Sequence, residues 1–392
     1  MLDRLPTFSS PPRSILVLST EYAINADGTY RPGGLALFSR CVIGSLAGAH
    51  GLDRLEAWGL LDEPEGLNVF RSHFGDSTTR VSTRAFSGDR AGMAAAFALR
   101  HLAFDLVVFL HVGIGRLAIL RGPLPLSFWI VGIEVRRPLR FFERWLVKRA
   151  NPLLSISTYS SDEMRRHNPD LPAGKTVHLS VEPENWKETS QDLERTHYDP
   201  AQRKCAVLVV ARMAAGERYK GHDQLIEGWP EVMRRCPGAE LWITGTGDDL
   251  ARLKEKAAAL GSATSEKIVF LGRVSHEQLR ERYRTARVFA MPSTGEGFGL
   301  VFTEAMREGV PCICSFDSAQ EIVLHEETGL VVPQETAAIT AACIRLLSDD
   351  AFATRLGRAG QKRFYDLYTF DGMRARVRAA YGYASNVEGT NS

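Results

Sequence analysis

The chain has 392 residues, 44% hydrophobic and 24% charged. That balance excludes global disorder, and at roughly 100–200 residues per domain it predicts two domains. The 48 Lys+Arg against 46 Asp+Glu leave a net charge of +2, without the basic excess of a nucleic-acid-binding chain. Six cysteines are too few for a disulfide scaffold. Cys312-x-Cys314, the close pair, matches no common zinc or redox spacing and reads as part of a buried strand, so a reducing, cytoplasmic compartment is the expectation.

The first apolar run, residues 15–18, is too short for a signal-peptide core. The stretches 106–115 and 124–133 fall short of the roughly 20 residues a membrane helix needs. In chain order, the patterning predicts a strand at 14–19, a glycine-containing loop at 25–34 and a helix at 35–49. Strands follow at 54–58, 106–110, 127–130 and 153–157, with helices at 92–102, 138–150 and 160–167. The polar, unperiodic segment 182–204 reads as a linker. After it come strands at 205–211, 241–244, 268–271, 288–291, 312–315 and 330–332. Helices separate them at 221–235, 248–260, 276–284 and 299–308, and 336–383 reads as helical throughout. Ser275 with Gln278 three residues on forms a capping box that fixes one helix start. Apolar runs alternating with amphipathic helices imply βαβ units, hence two doubly wound α/β domains binding ligand at the carboxyl ends of their strands.

Two stretches carry the chemistry. In residues 291–312 a strand runs through a glycine-rich loop into a helix, as Glu296-Gly-Phe298-Gly299-Leu300 with Glu304 eight residues after Glu296. Amides at Phe298 and Gly299 would stand at a helix N-terminus, where the dipole favours phosphate oxygens, and a carboxylate there accepts bonds from sugar or ribose hydroxyls. The second stretch follows strand 205–211. Arg212 and Lys220 form a cationic pair suited to a diphosphate, with Arg218 a competitor for the same work.

These motifs, taken together, resemble the retaining glycosyltransferases of the two-domain GT-B fold, family 4 (glycosyl transferases group 1). The match runs in order through Arg212, Lys220-Gly221, the Ile243–Gly247 run, Phe270-Leu271-Gly272, Glu296 to Glu304, Gly309-Val310-Pro311, Glu321-Ile322-Val323 and Thr328-Gly329-Leu330. It is strong over 205–350 and weaker in the first half, at Gly33-Gly34, His111 and Gly132-x-Glu134. The resemblance implies two Rossmann-like doubly wound domains facing a central cleft. The acceptor domain would cover 1–190, joined by a C-terminal helix at about 368–385, and the nucleotide-sugar domain 200–367. Arg212 and Lys220 would bind the donor diphosphate, Glu304 the ribose, Glu296 the donor sugar, and Phe298, Gly299 and Leu300 the phosphate or sugar. Gly33 and Gly34 would let backbone approach the phosphates, His111 would stand beside the reacting centre, and Glu134 would mark the acceptor side. Glu296 and Glu304 are then not the acid and nucleophile of a glycosidase.

The implied activity is retaining transfer from a UDP- or GDP-linked sugar to a glycan or lipid-linked acceptor in polysaccharide biosynthesis. No cofactor and no metal are implied, because the nucleotide-sugar is a substrate and GT-B enzymes generally need no divalent ion. A sugar phosphorylase or disaccharide synthase, or a non-catalytic nucleotide-sugar-binding subunit, are the alternatives. The segment 136–149 interleaves Arg136, Arg137, Arg140, Arg144, Lys148 and Arg149 with Phe141, Phe142, Trp145 and Leu146. It reads first as a helix covering the sheet with its apolar face in the core, and second as a peripheral contact with the inner membrane face.

Overall fold

The computed structural model describes residues 10–22, 34–63, 79–122, 124–181 and 198–384. The chain divides into two units, residues 1–182 with 369–392, and residues 183–368. Most of the expected linker, residues 182–197, lies outside the described residues, as do Gly33 and most of the 25–34 loop.

The first unit holds a seven-stranded sheet in the order β3-β2-β1-β4-β5-β6-β7. Its strands are β1 (Ser14–Ser19), β2 (Arg54–Gly59), β3 (Arg80–Ala85), β4 (Leu106–Phe109), β5 (Leu126–Ile130), β6 (Leu153–Ser155) and β7 (Lys175–Thr176). All pairings are parallel. Parallel strands covered on both faces become continuous apolar runs, and β1, β4 and β5 are buried almost along their length. The helices are α1 (Gly34–Leu46), α2 (Arg90–Arg100), α3 (Phe141–Arg149) and α4 (Thr158–His167). A 3₁₀ segment, Val112–Arg121, follows β4. Leu18, Trp58, Phe97, Phe109, Phe128 and Leu146 are among the residues of its core.

The second unit holds a six-stranded parallel sheet in the order β10-β9-β8-β11-β12-β13. Its strands are β8 (Lys204–Val210), β9 (Glu240–Thr244), β10 (Ile268–Gly272), β11 (Ala286–Met291), β12 (Cys312–Cys314) and β13 (Gly329–Val331). Counted from β8 this is the doubly wound order 3-2-1-4-5-6, whose switch point lies between β8 and β11. Its helices are α5 (His222–Arg235), α6 (Leu250–Ala258), α7 (Ser262–Ser265), α8 (His276–Thr285), α9 (Leu300–Arg307), α10 (Thr336–Ser348) and α11 (Asp350–Leu367). The capping box at α8 forms as read: Ser275 Oγ accepts from the Gln278 amide at 3.2 Å, and Gln278 Oε1 accepts from the Ser275 amide at 2.9 Å. Cys312 and Cys314 lie fully buried in β12, and burial pushes both thiols well above their ordinary range.

The structure refines these expectations. The segment 336–383 is helical as read, divided into three helices. Asp349 caps α11 by accepting from the Phe352 amide at 2.9 Å, and Thr369 caps a last helix, α12 (Phe370–Ala380), by accepting from the Gly372 amide at 3.2 Å. The helix expected at 138–150 starts only at Phe141, after Pro138. β3 and β7 carried no sequence expectation. β3 reads Arg-Val-Ser-Thr-Arg-Ala, too polar to stand out as a strand.

α12 belongs to the first unit. Arg378 donates to the carbonyls of Ser45 and Ala47, each at 2.8 Å, and so closes the C-terminal end of α1. Just beyond α12, Tyr381 is fully buried; its hydroxyl accepts from Trp129 Nε1 at 2.9 Å and bonds Ser127 Oγ at 3.1 Å.

Candidate nucleotide-sugar site

The site is assembled where β8 and β11 end. Beyond β8 the chain forms a 3₁₀ turn, Ala215–Lys220, and enters α5 through Gly221. Gly221 has φ +86°, and a Cβ there would lie 2.6 Å from the Pro292 ring, so only glycine lets the loops after β8 and β11 approach this closely. The Thr294 amide donates to the Tyr219 carbonyl at 3.1 Å. Gln334 Nε2 donates to the carbonyls of both Tyr219 and Pro292 at 2.6 Å. The two loops are thereby stitched together, and Lys220 Nζ forms an ion pair with Glu296 Oε1 in which both side chains are largely shielded. Glu296 is itself held by backbone: its amide donates to Asp317 Oδ2 at 2.8 Å, and Asp317 is fully buried.

The two candidate arginines separate by their partners. Arg218 is tied to Asp249 at 2.9 and 3.3 Å. Arg252 also grips Asp249, and these two guanidiniums, Arg252 first, hold the Asp249 carboxyl down at about 2. Arg212 pairs with Glu217 and keeps three quarters of its side chain in solvent. Of the two, Arg212 is the one a ligand can recruit without breaking a network.

Beyond β11 the chain reaches α9 through Gly299, whose φ of +94° is the left-handed conformation that favours glycine. The Phe302 amide already bonds the Gly299 carbonyl at 2.9 Å. The Leu300 and Val301 amides, in the first turn, have no carbonyl within the helix to bond. Phe298 is a core anchor, 3% exposed, its ring edge-on to Tyr368 at 6.0 Å. One turn into α9, Glu304 Oε2 accepts from the Tyr283 hydroxyl at 2.8 Å. Burial raises the Glu304 carboxyl to about 7, with the Tyr283 bond and the Arg307 charge pulling the other way. Tyr283 and Asp317 support this site and were not singled out from sequence. Tyr283 is a lone apolar ring in the polar helix HEQLRERYRT, and neither residue belongs to a local motif.

The first unit places its candidates at strand ends as well. Gly34 opens α1 and is exposed. His111, two residues past β4, accepts from the Gly113 amide through Nδ1 at 2.9 Å, which leaves the proton of the neutral ring on Nε2 as a donor. Glu134 Oε1 accepts from the Val131 and Gly132 amides at 3.1 and 3.0 Å and so closes the turn after β5. In α3, Leu146 and Val147 are buried, whereas Phe141 is 74% and Phe142 43% exposed. The cations in and just before this helix are partly neutralised: Arg137 pairs with Glu143, and Arg144 and Lys148 with Asp170. Among the described residues no helix is long and apolar enough to cross a membrane, and no cluster of three or more His, Cys, Asp or Glu could hold a metal ion.

Residues 204–349 match the family described as glycosyl transferases group 1. The match falls within the second unit, in a chain with the α/β two-sheet fold of GT-B glycosyltransferases. Among sequence relatives, the GDP-mannose-dependent alpha-(1-6)-phosphatidylinositol monomannoside mannosyltransferase of Mycobacterium tuberculosis is 33% identical over 206 residues, 47% of this chain and 52% of that protein. The chain thus spans about half the length of the curated relatives it matches. Among solved structures, the sucrose-phosphate synthase of Thermosynechococcus elongatus superposes with a TM-score of 0.70 at 21% identity, over 94% of this chain and 98% of the other. HepE of Anabaena, in complex with UDP and glucose, gives a TM-score of 0.70 at 17% identity with the same coverages.

Proposed function

We propose that the protein is a retaining glycosyltransferase that moves a sugar from a UDP- or GDP-linked donor to a glycan or lipid-linked acceptor in polysaccharide biosynthesis. The observation that carries this reading is the Lys220–Glu296 pair at the switch point of the second sheet, flanked by the exposed guanidinium of Arg212. A diphosphate entering there meets Lys220 as a point charge, Arg212 as a planar fork, and the first-turn amides of α9. Glu296, released from Lys220 by the incoming phosphates, becomes an acceptor for donor-sugar hydroxyls. Glu304 accepts from the ribose hydroxyls.

In the transfer, the bond between the anomeric carbon and the diphosphate oxygen breaks as the acceptor oxygen bonds that carbon on the same face. The leaving diphosphate takes the acceptor proton. Cations and amides already in place at the departing phosphate are the main source of rate, because they need no reorganisation as charge develops. His111 donates from Nε2 to the transferred sugar, and Glu134, engaged with its own turn, shapes the acceptor side. Exposed Phe141 and Phe142 at the head of a basic helix favour an acceptor presented at the inner membrane face.

The test is transfer from a labelled donor with the product examined by NMR. Retained anomeric configuration and full activity in excess EDTA are the expected results. Inverted product, or complete loss restored by Mg²⁺ or Mn²⁺, would contradict the reading. Phosphate-dependent release of sugar phosphate would replace it with a phosphorylase.

A further inference from the structure

We propose that the first unit carries a separate anion-binding site at the edge of its sheet, which takes a phosphate ester with an organic body. β2 and β3 are paired in parallel with Arg54 beside Arg80, Glu56 beside Ser82 and Trp58 beside Arg84. Alternation along a strand sends each of these side chains to the same face. Arg54, Glu56, Arg80, Ser82 and Arg84 line a cavity of about 710 Å³ together with Arg100, the last residue of α2.

The charges there do not balance. Among the described residues four guanidiniums face one carboxylate, and that carboxylate is already committed. Glu56 is 5% exposed and accepts from Arg54 at 2.7 Å, Arg100 at 3.3 Å and Trp58 Nε1 at 2.8 Å. Among the described residues no carboxylate pairs with Arg80 or Arg84; Arg84 lies over the Trp58 and Phe86 rings at 5.5 and 5.0 Å. Like charges placed opposite each other on neighbouring strands destabilise a sheet, and Arg54 beside Arg80 is such a pair. A dianion bridging the two removes that repulsion, and planar guanidinium forks fit phosphate oxygens two at a time. Ser82 adds a hydroxyl, and the volume exceeds that of a bare phosphate. Arg54 and Arg80 are the first residues of β2 and β3, whereas His111 and Glu134 follow the carboxyl ends of β4 and β5. The site runs along the face of β2 and β3, two and three strands from β4 in the sheet order, and it does not depend on the donor reading.

The competing account is that β3, an edge strand, carries arginines only to block edge-to-edge association. The experiment compares the full chain with the Arg80→Ser/Arg84→Ser variant. Calorimetry uses glycerol 3-phosphate, and co-sedimentation uses phosphatidylglycerol against phosphatidylcholine vesicles. Circular dichroism confirms that the variant is folded. We expect binding of at least one probe to the wild type, weakened tenfold or more in the variant, and a phosphate-induced rise in Tm that the variant lacks. Binding of glycerol 3-phosphate without vesicles identifies a soluble ester as the ligand. Vesicle binding that requires Arg80 and Arg84 identifies a lipid headgroup. Equal binding by wild type and variant overturns the proposal. No binding of any probe also overturns it, and if the variant then self-associates, the arginines belong to edge protection.

Discussion

Glu304 and His222 illustrate how single residues trade stability for a site. Burial raises Glu304 from its ordinary 4.5 to about 7, and lowers His222, 3% exposed with no partner for Nε2, from 6.5 to about 4. Between pH 4.5 and 7 the folded protein keeps a proton on Glu304 that the unfolded chain releases, so stability falls as pH rises. Between pH 4 and 6.5 the unfolded chain binds a proton on His222 that the folded protein refuses, so stability rises with pH. At about 1.4 kcal/mol per pKa unit, each contributes about 3 kcal/mol across its window, with opposite sign. Asp249, held at about 2, titrates below both windows. Wild type should therefore show a shallow pH dependence from 4.5 to 6.5. Glu304→Gln should gain stability at pH 7.5 and expose a rise of about 3 kcal/mol from pH 4 to 6.5. Urea midpoints across pH would show it; parallel profiles for the two proteins would contradict it. A ribose hydroxyl pair favours ionised Glu304, so the strain is relieved where the proposed ligand sits.

The elements show why a loop motif can be read from sequence while its partners cannot. The Glu296–Glu304 stretch was legible because a strand that turns directly into a helix needs specific residues at specific places. The left-handed Gly299 is one of them. Gly221 is another, and its replacement is a direct test of loop packing. Gly221→Ala puts a Cβ at φ +86° and 2.6 Å from Pro292, so it should cost about 2 kcal/mol and displace Lys220 from Glu296. A thermal melt unchanged within error, with nucleotide affinity intact, would show that the loops are not coupled as described. By contrast, the Lys220–Glu296 pair spans 76 residues and the Tyr283–Glu304 bond 21, and no local pattern encodes either. Residue type left Arg218 a competitor of Arg212, and the resemblance alone chose Arg212; the fold separates them physically by placing Asp249 and Arg252 beside Arg218. β3 escaped notice because its exposed face is arginine and serine, the very residues that line the edge cavity.

At the scale of the molecule, alternation of apolar runs and amphipathic helices was enough to predict two doubly wound sheets, since a parallel sheet buried on both faces leaves a strong signal in its strands. The third strand from the edge in each sheet, β1 and β8, is the first in its unit, and so each sheet has its switch point beside that strand. In the second unit the switch point coincides with Arg212, Lys220, Glu296 and the start of α9, and the family match covers the same stretch. That coincidence is tested most directly by calorimetric titration of the whole protein with UDP, GDP and ADP, using Glu304→Ala and Arg212→Ala as controls. Micromolar binding of one nucleotide is expected, weakened at least tenfold by each substitution. Folded wild-type protein that binds none of the three, or binding untouched by both substitutions, would contradict it.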